Sequence, residues 1–590
     1  MDIFSVITLL GGLALFLYGM NVMSAGLEKL AGSRLEQILR QMTSNPFKGL
    51  VLGVVVTGII QSSSAVTVIL VGLVNSGIMQ LSQSVGVIMG SNIGTTVTAW
   101  LMSLIGIEGD NLFLQLLKPK NFSLLFAFVG ILMIMMCKGQ KKKDIGSIMT
   151  GFAVLMLGME LMSGAVEPLK DMPEFQQILT YFTNPLLGVL VGAIFTAVIQ
   201  SSSASVGILQ ALSMTGGITY GMAIPIIMGQ NIGTCITALI SSIGVSKNAR
   251  KVSIVHVSFN AIGTGIFLVV YCIASWIFHI PLLEEVIGPS GIAISHTIFN
   301  LITTALLFPF SKQLEKIANA IIKEDKKDKK SQEQETAFLD ERLLATPAFA
   351  IAECRNMTSK MAEKTRETLL NAVKAVGEYD KKTVEKVINS ENELDVYEDK
   401  LGTYLVKLAS KDLSEADGHV TSLLLHTISD FERIGDHAVS LVKASEEMHS
   451  KKISFSEDAK KELEVLMNAV SEILIATTAA FTVNDLRLAK KVEPLEQVID
   501  QITGRIRKRH IDRLTKGNCT IELGFILGDI LNDFQRVSDH CSNIAVALIE
   551  VAQNSFETHE YLGSVKTMDN QDFKENFTEY QMKYELPAKR

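Results

Sequence analysis

Apolar residues are not spread evenly along the chain. Up to about residue 311 they form long continuous runs; beyond it they recur at helical spacing among Lys, Glu and Asp. The first part also holds two stretches with no charged side chain: 59 residues between Lys48 and Glu108, and 72 between Glu174 and Lys247. A helix crosses a bilayer with roughly 20 apolar residues, so each stretch has room for more than one membrane-buried segment. The pattern predicts helices over about 3–23, 83–105, 121–137, 147–164, 221–244 and 252–279, and a last one at 291–310. Two apolar hairpins, about 47–76 and 186–215, carry polar tips. Only Asp2 precedes the first run, and no cleavage pattern follows it, so it reads as a retained helix and not as a signal peptide.

The polar tips are GIIQSSSAV at 58–66 and VIQSSSASV at 198–206. They belong to a duplication. GMNVMS at Gly19 returns as GMELMS at Gly158, Asn45-Pro46 as Asn184-Pro185, QSSSA at Gln61 and again at Gln200, and NIGT at Asn92 and again at Asn231. All four landmarks share one gapless offset of 139 residues. A hairpin that enters and returns leaves each copy with three crossings, and an odd number turns the second copy upside down.

Charge supports that reading, since short cytoplasmic loops favour Lys and Arg. With the amino terminus outside, the inner connections hold Lys29, Arg34 and Arg40; Lys138, Lys141, Lys142 and Lys143; and Lys247, Arg250 and Lys251. The outer ones hold Glu167, Asp171 and Glu174, then Glu284 and Glu285. Only 106–120 is neutral. The predicted location is a bacterial cytoplasmic membrane, crossed several times, with the C-terminal part cytoplasmic.

Inverted repeats with helices broken near the midplane are the plan of secondary transporters. Small Ser and Thr residues also pack between membrane helices, but a four-residue polar block that includes Gln, recurs at a fixed offset and is followed each time by NIGT asks for more. An unpartnered buried amide costs several kcal/mol. With no Arg or Lys in either stretch, an anion must be held by hydroxyls and by the N–H groups of helix N-termini. Cations on Ser, Thr, Gln and Asn oxygens would balance it. The candidate ligands are Gln61, Ser62, Ser63, Ser64, Asn92, Thr95 and Thr96, with Gln200, Ser201, Ser202, Ser203, Asn231 and Thr234 in the second copy. These residues suit phosphate and sulfate alike.

QSSSA twice, followed by NIGT twice, resembles the type II sodium–phosphate cotransporter family in its bacterial form, over about residues 1–310. The resemblance implies coupled movement of inorganic phosphate and sodium, with the QSSS blocks in their sites. Animal members carry a large loop between the copies where this chain has KGQKKKD. Some bacterial relatives are associated with export, and a sensor that no longer transports is a further alternative.

Beyond a charged linker, six helical segments are predicted at about 346–377, 380–409, 414–447, 456–483, 485–515 and 519–553, which make two three-helix bundles. These repeat as well: DFERIGDHA at Asp430 returns as DFQRVSDHC at Asp533. Acidic residues fall four apart on shared faces: Glu391 with Asp395, Glu432 with Asp436, and Glu496 with Asp500, while Asp539 is matched by Gln535. Like charges at that spacing suit a divalent or iron-type metal, against the ordinary alternative of a solvated face. DFERIGDHA with an upstream ExxxD resembles the PhoU family of phosphate-uptake regulators, over about 345–553.

The reading is an all-α chain: repeat 1 at 1–140, repeat 2 with an extra helix at 141–311, a linker at 312–340, the PhoU-like pair of bundles at 341–553 and a polar tail at 554–590. Its expected partners are inorganic phosphate, sodium and the lipid bilayer, with a homo-oligomer left open. A net charge of −7 argues against nucleic acid. Six scattered Cys make no zinc or disulfide framework, and no nucleophile–base pair or P-loop suggests an enzyme.

Overall fold

The computed structural model describes residues 3–42, 45–75, 79–106, 119–172, 177, 179, 181–323, 339–411, 413–553 and 571–588. Almost all of these are helical, and the only β pairing among them is one isolated bridge between Thr219 and Val286. The chain is all-α, as its apolar pattern predicts. It divides into two compact units, Met1–Phe349 and Ala350–Arg590.

In the first unit the helices are α1 (Ile3–Met42), α2 (Pro46–Ile60), α3 (Ser63–Asn75), α4 (Leu81–Ser103), α5 (Pro119–Met136) and α6 (Gln140–Val166). The second copy supplies α7 (Pro185–Ile199), α8 (Ser202–Ser213), α9 (Tyr220–Gly233), α10 (Cys235–Ser241) and α11 (Lys247–Ile277), followed by α12 (Pro289–Leu307) and α13 (Ser311–Ile321). Among the described residues, six helical segments in this unit are long and apolar enough to cross a membrane. The arms α2, α3, α7 and α8, of 12 to 15 residues, are too short to do so alone. A seventh segment that qualifies by length and hydropathy, Glu457–Val483, lies in the second unit and turns Leu466, Val470, Ile473 and Leu474 into a bundle core.

Each hairpin begins the same way. Asn45 and Asn184 accept the N–H two residues on at 2.9 and 3.0 Å, and a proline occupies the first helical turn, where its missing N–H is no loss. Glycine then lets the first arm lie directly on the NIGT helix. A Cβ on Gly90 would stand 1.9 Å from the Leu50 carbonyl oxygen, and one on Gly229 would stand 2.0 Å from that of Val189. Both members of each contact are related by the same 139-residue offset. Backbones that approach this closely need small residues. The helices that open the copies, α1 and α6, run antiparallel, with Gly12 against Gly158 and Gly19 against Gly151.

The structure differs from the sequence reading in several places. Helix α1 continues to Met42. The segment predicted at 221–244 divides at Thr234 into α9 and α10, although the backbone there stays helical (φ −62°, ψ −23°) and the Thr234 N–H reaches the Gln230 carbonyl at 3.1 Å; α4 runs undivided through Thr95. Within the predicted linker, 311–321 is helix α13, because Leu314 and Ala318, one turn apart, are buried; residues 324–338 lie outside the described residues. Most of the neutral 106–120 loop also lies outside them.

The second unit consists of α14 (Pro347–Gly377), α15 (Lys381–Ala409), α16 (Glu415–Lys451), α17 (Glu457–Val483), α18 (Leu486–Thr515) and α19 (Ile521–Gln553), close to the six predicted helices. Gly377 and Gly517 mark ends, the latter with φ +71°. Ser414 caps α16 by accepting the Asp417 N–H at 3.1 Å. The polar tail contains a further helix, α20 (Gln571–Lys583), beyond residues 554–570, which lie outside the described set. Its Phe573 and Tyr580, with the following Tyr584, are buried, and α20 packs on α18.

Candidate functional site

Both hairpins break at glutamine. Gln61 and Gln200 adopt the same left-handed backbone, φ 58° and ψ 21°, and each donates its N–H to a threonine carbonyl four residues back at 2.7 Å. Side chains other than glycine pay about 1–2 kcal/mol for that conformation. Only four such residues occur among the described residues, and the other two, Lys452 and Asn484, simply end helices. The next serine starts the return arm. Ser62 Oγ accepts the Ala65 N–H and Ser201 Oγ that of Ala204, both at 3.2 Å. A helix C-terminus and a helix N-terminus thus meet within two residues, offering carbonyl oxygens on one side and N–H groups on the other.

The first serine of each block is therefore a cap. The remaining ones lead into the protein: Ser63, Ser202 and Ser203 are buried, and Ser64 is half-buried. Gln61 is 4% exposed. It accepts from Thr98 Oγ1 at 2.9 Å and donates its Nε2 to the Gly58 carbonyl. Gln200 is exposed, so the two glutamines share a backbone but not an environment. Thr57 donates to Ser91 Oγ at 2.9 Å, while its equivalent Thr196 donates to Ser205 Oγ at 2.8 Å. The partners differ because Ser91 corresponds to Gln230 and Ser205 to Val66.

In the NIGT segments the candidate residues Asn92, Thr95, Thr96, Asn231 and Thr234 are all buried. Asn92 donates to the Ile88 carbonyl at 3.0 Å, Thr95 to that of Ser91 at 3.0 Å and Thr96 to that of Ile93 at 2.7 Å, all within α4. Thr234 does likewise with Asn231, at 2.7 Å. Asn231 is different: its Nδ2 donates to Asn300 Oδ1 at 3.1 Å and its Oδ1 faces His296 Nε2 at 3.4 Å. The two copies also meet where Thr237 Oγ1, which donates to the Thr234 carbonyl at 2.9 Å, lies 3.0 Å from Ser64 Oγ in hydrogen-bond contact. Each return arm lies on the other copy, α3 on α10 and α11 and α8 on α4. Thr98, Thr237, His296 and Asn300 were not among the sequence candidates. The 139-residue offset between Thr98 and Thr237 was the available signal for the first two.

In the second unit, carboxylate oxygens of Glu391, Asp395 and Asp436 lie within 4.8 Å of one another. Burial, followed by the Asp395 and Asp436 charges, holds Glu391 above the usual carboxylate range. Glu432 is pushed up to about 7, mostly by burial and then by Asp436, Asp395 and Glu398. These four residues could take a hard cation, which would relieve their mutual repulsion. The second bundle is arranged differently. Gln535 Nε2 donates to Asp500 Oδ1 at 2.6 Å, and Arg536 holds Asp539 at 3.3 Å, so local donors already answer both carboxylates. Asp539 is nevertheless raised, chiefly by burial. Glu496 stands half-buried on α18, outside the carboxylate trio. Between the bundles two reciprocal pairs close, His437 Nδ1 with Asp533 Oδ1 at 2.9 Å and His540 Nδ1 with Asp430 Oδ1 at 2.8 Å.

Comparison with known proteins adds two family matches: the Na+/Pi-cotransporter model over residues 15–164 and 168–281, and the PhoU domain model over 358–445 and 463–548. YjbB of Escherichia coli (strain K12), provisionally named an inorganic phosphate export protein, is 22% identical over 94% of this chain and 100% of its own length. Sodium-dependent phosphate transport protein 2A of Rattus norvegicus is 33% identical over 17% of this chain and 16% of its own. The crystal structure of PhoU from Pseudomonas aeruginosa is 18% identical, covering 35% of this chain and 97% of its own, with a TM-score of 0.33.

Proposed function

The chain belongs to the Na+/Pi-cotransporter family and carries a C-terminal PhoU domain, and from that premise we propose that it transports inorganic phosphate across the cytoplasmic membrane together with sodium, as a carrier and not an enzyme. One observation carries the reading: two helix breaks of identical backbone geometry, at Gln61 and Gln200, in segments that contain no charged residue. The N–H groups that open α3 and α8 suit an oxyanion. The hydroxyl and amide oxygens beside them suit sodium, whose charge replaces the missing Arg and Lys as the anion's counterpart.

The antiparallel contact of α1 with α6 supports an inverted relation between the copies. Gly12 is equivalent to Gly151 and Gly19 to Gly158, and the pairs that touch are the exchanged ones. Such a relation fits alternating access around a central site, with the amino terminus outside and the PhoU domain in the cytoplasm as a regulator. Movement out of the cell is a second reading, favoured by the full-length similarity to YjbB.

Flux measurements on Ser63→Ala and Ser202→Ala in proteoliposomes test the site. Each variant should insert normally yet saturate only at higher phosphate. Wild-type saturation in both would return these serines to a packing role.

A further inference from the structure

Asn231 and Cys235 lie on either side of Thr234, the junction of α9 and α10, where the backbone stays helical. Each is held by a different helix, and both helices use the same five-residue pattern. Helix α12 carries His296-Thr-Ile-Phe-Asn300 and α11 carries His256-Val-Ser-Phe-Asn260. In each, the asparagine donates Nδ2 to the histidine carbonyl one turn earlier, at 2.9 and 3.1 Å. The two motifs then reach opposite sides of that junction. Asn300 Oδ1 accepts from Asn231 Nδ2, which leaves Asn231 Oδ1 facing His296 Nε2. On the far side, Asn260 Nδ2 reaches Cys235 Sγ at 3.4 Å, and that thiol points at the His256 carbonyl at 3.7 Å. Ser253 adds a bond to the Ala238 carbonyl at 2.6 Å. All of these side chains are buried.

The first copy has no such bracket; it contains no histidine at all. There α4 stays continuous, and Thr98 bonds to the glutamine of its own copy. In the second copy the equivalent Thr237 bonds to Ser64 of the first copy, and Gln200 is left exposed. The difference between the copies therefore coincides with the bracketed junction.

We propose that the paired H-x-x-F-N motifs are positioning elements: His296 and Asn300 before Thr234, and His256 and Asn260 after it, hold the α9–α10 junction in place and so deliver Thr237 to Ser64. Its meaning for transport rests on the reading of Ser64 as part of the phosphate and sodium site. Asn231 turns its carbonyl oxygen to the imidazole, and a hydrogen bond there needs the His296 tautomer that carries its hydrogen on Nε2. Glutamine can offer an N–H at similar reach; leucine cannot.

The test uses the full chain in nanodiscs with Ser64→Cys and Thr237→Cys introduced together, and the rate of disulfide formation between them is read by mass spectrometry. The pair should close quickly in the otherwise native background and with His296→Gln. It should close about tenfold or more slowly with His296→Leu or Asn300→Leu, as displaced reacting groups do. Asn260→Leu acts on the other flank and should slow closure too, which keeps the test decisive if His296→Leu fails to insert. Equal rates throughout, or His296→Gln as slow as His296→Leu, overturn the proposal. A second arm measures phosphate flux with Ser64 and Thr237 intact, where His296→Leu should raise the phosphate KM and His296→Gln restore it. Absence of flux in the native chain with the cross-linking pattern intact sinks the transport reading and upholds the bracket. Normal flux with cross-linking indifferent to the motifs does the reverse.

Discussion

Thr237 places its hydroxyl oxygen 3.0 Å from that of Ser64 across 173 residues of sequence while donating to the Thr234 carbonyl at 2.9 Å, whereas Thr98, its equivalent in the first copy, donates to Gln61. Two like side chains in a duplicated frame have chosen unlike partners. Thr237→Val removes a direct hydroxyl contact from that helix to the first QSSS block and should lower the rate of phosphate flux about tenfold, the effect of a misplaced binding group. Thr98→Val should weaken transport as well, because it leaves the buried Gln61 oxygen without its donor. Flux assays on both variants, normalised to inserted protein, check this; native rates in both would detach these hydroxyls from the mechanism.

Close backbone approach makes Gly90 and Gly229 intolerant of any side chain. Gly90→Val and Gly229→Val should each destabilise the first unit by about 1–3 kcal/mol, the usual cost of overpacking. Gly265→Ala, inside α11 with nothing within 4 Å of its added carbon, should cost no stability. Thermal unfolding of the purified chain in detergent separates the three.

The acidic cluster gives the second unit a pH dependence with a definite sign. Glu432 has its folded value raised to about 7, above its unfolded value, so its contribution to stability is fully present below about 4.5 and is lost as pH rises through 7. Raising the pH across that window should destabilise the metal-free unit, and a bound divalent cation should reverse the loss. Glu432→Gln should flatten the profile. Hydrogen exchange of α15 and α16 from pH 5 to 8, with and without manganese, reads all three effects.

Gln535 stands where the first bundle has Glu432 and donates its amide to Asp500. Replacing that donor by a carboxylate, Gln535→Glu, should create a second acidic group and increase the manganese bound per chain. Metal analysis after equilibrium dialysis checks this, and an unchanged stoichiometry would mean that the arrangement of the second bundle, and not its amide, excludes the ion.

The duplication made much of this structure legible beforehand. A constant offset located both helix breaks, because a polar block in an apolar run has few places to go, and the helical periodicity of the second half placed its six helices within a few residues. What escaped prediction depends on relations between copies. Nothing in the local pattern says that Thr237 leaves its own glutamine, or that Asn231 is held by Asn300 from a helix outside the repeat. The twin H-x-x-F-N motifs were readable as text, yet they are not separated by 139 residues, so the repeat gave no reason to pair them. The tail helix was missed because its apolar positions, Phe573, Phe577, Tyr580 and Tyr584, form a narrow stripe in a charged segment.

The central claim is tested most directly by radiolabelled phosphate flux through the purified full chain in proteoliposomes, with and without an imposed sodium gradient and with sulfate as competitor. Phosphate should accumulate only when the gradient is present, and excess sulfate should leave most of that flux intact. Flux indifferent to sodium, or no flux in either orientation of the gradient, would contradict coupled transport through the paired helix breaks.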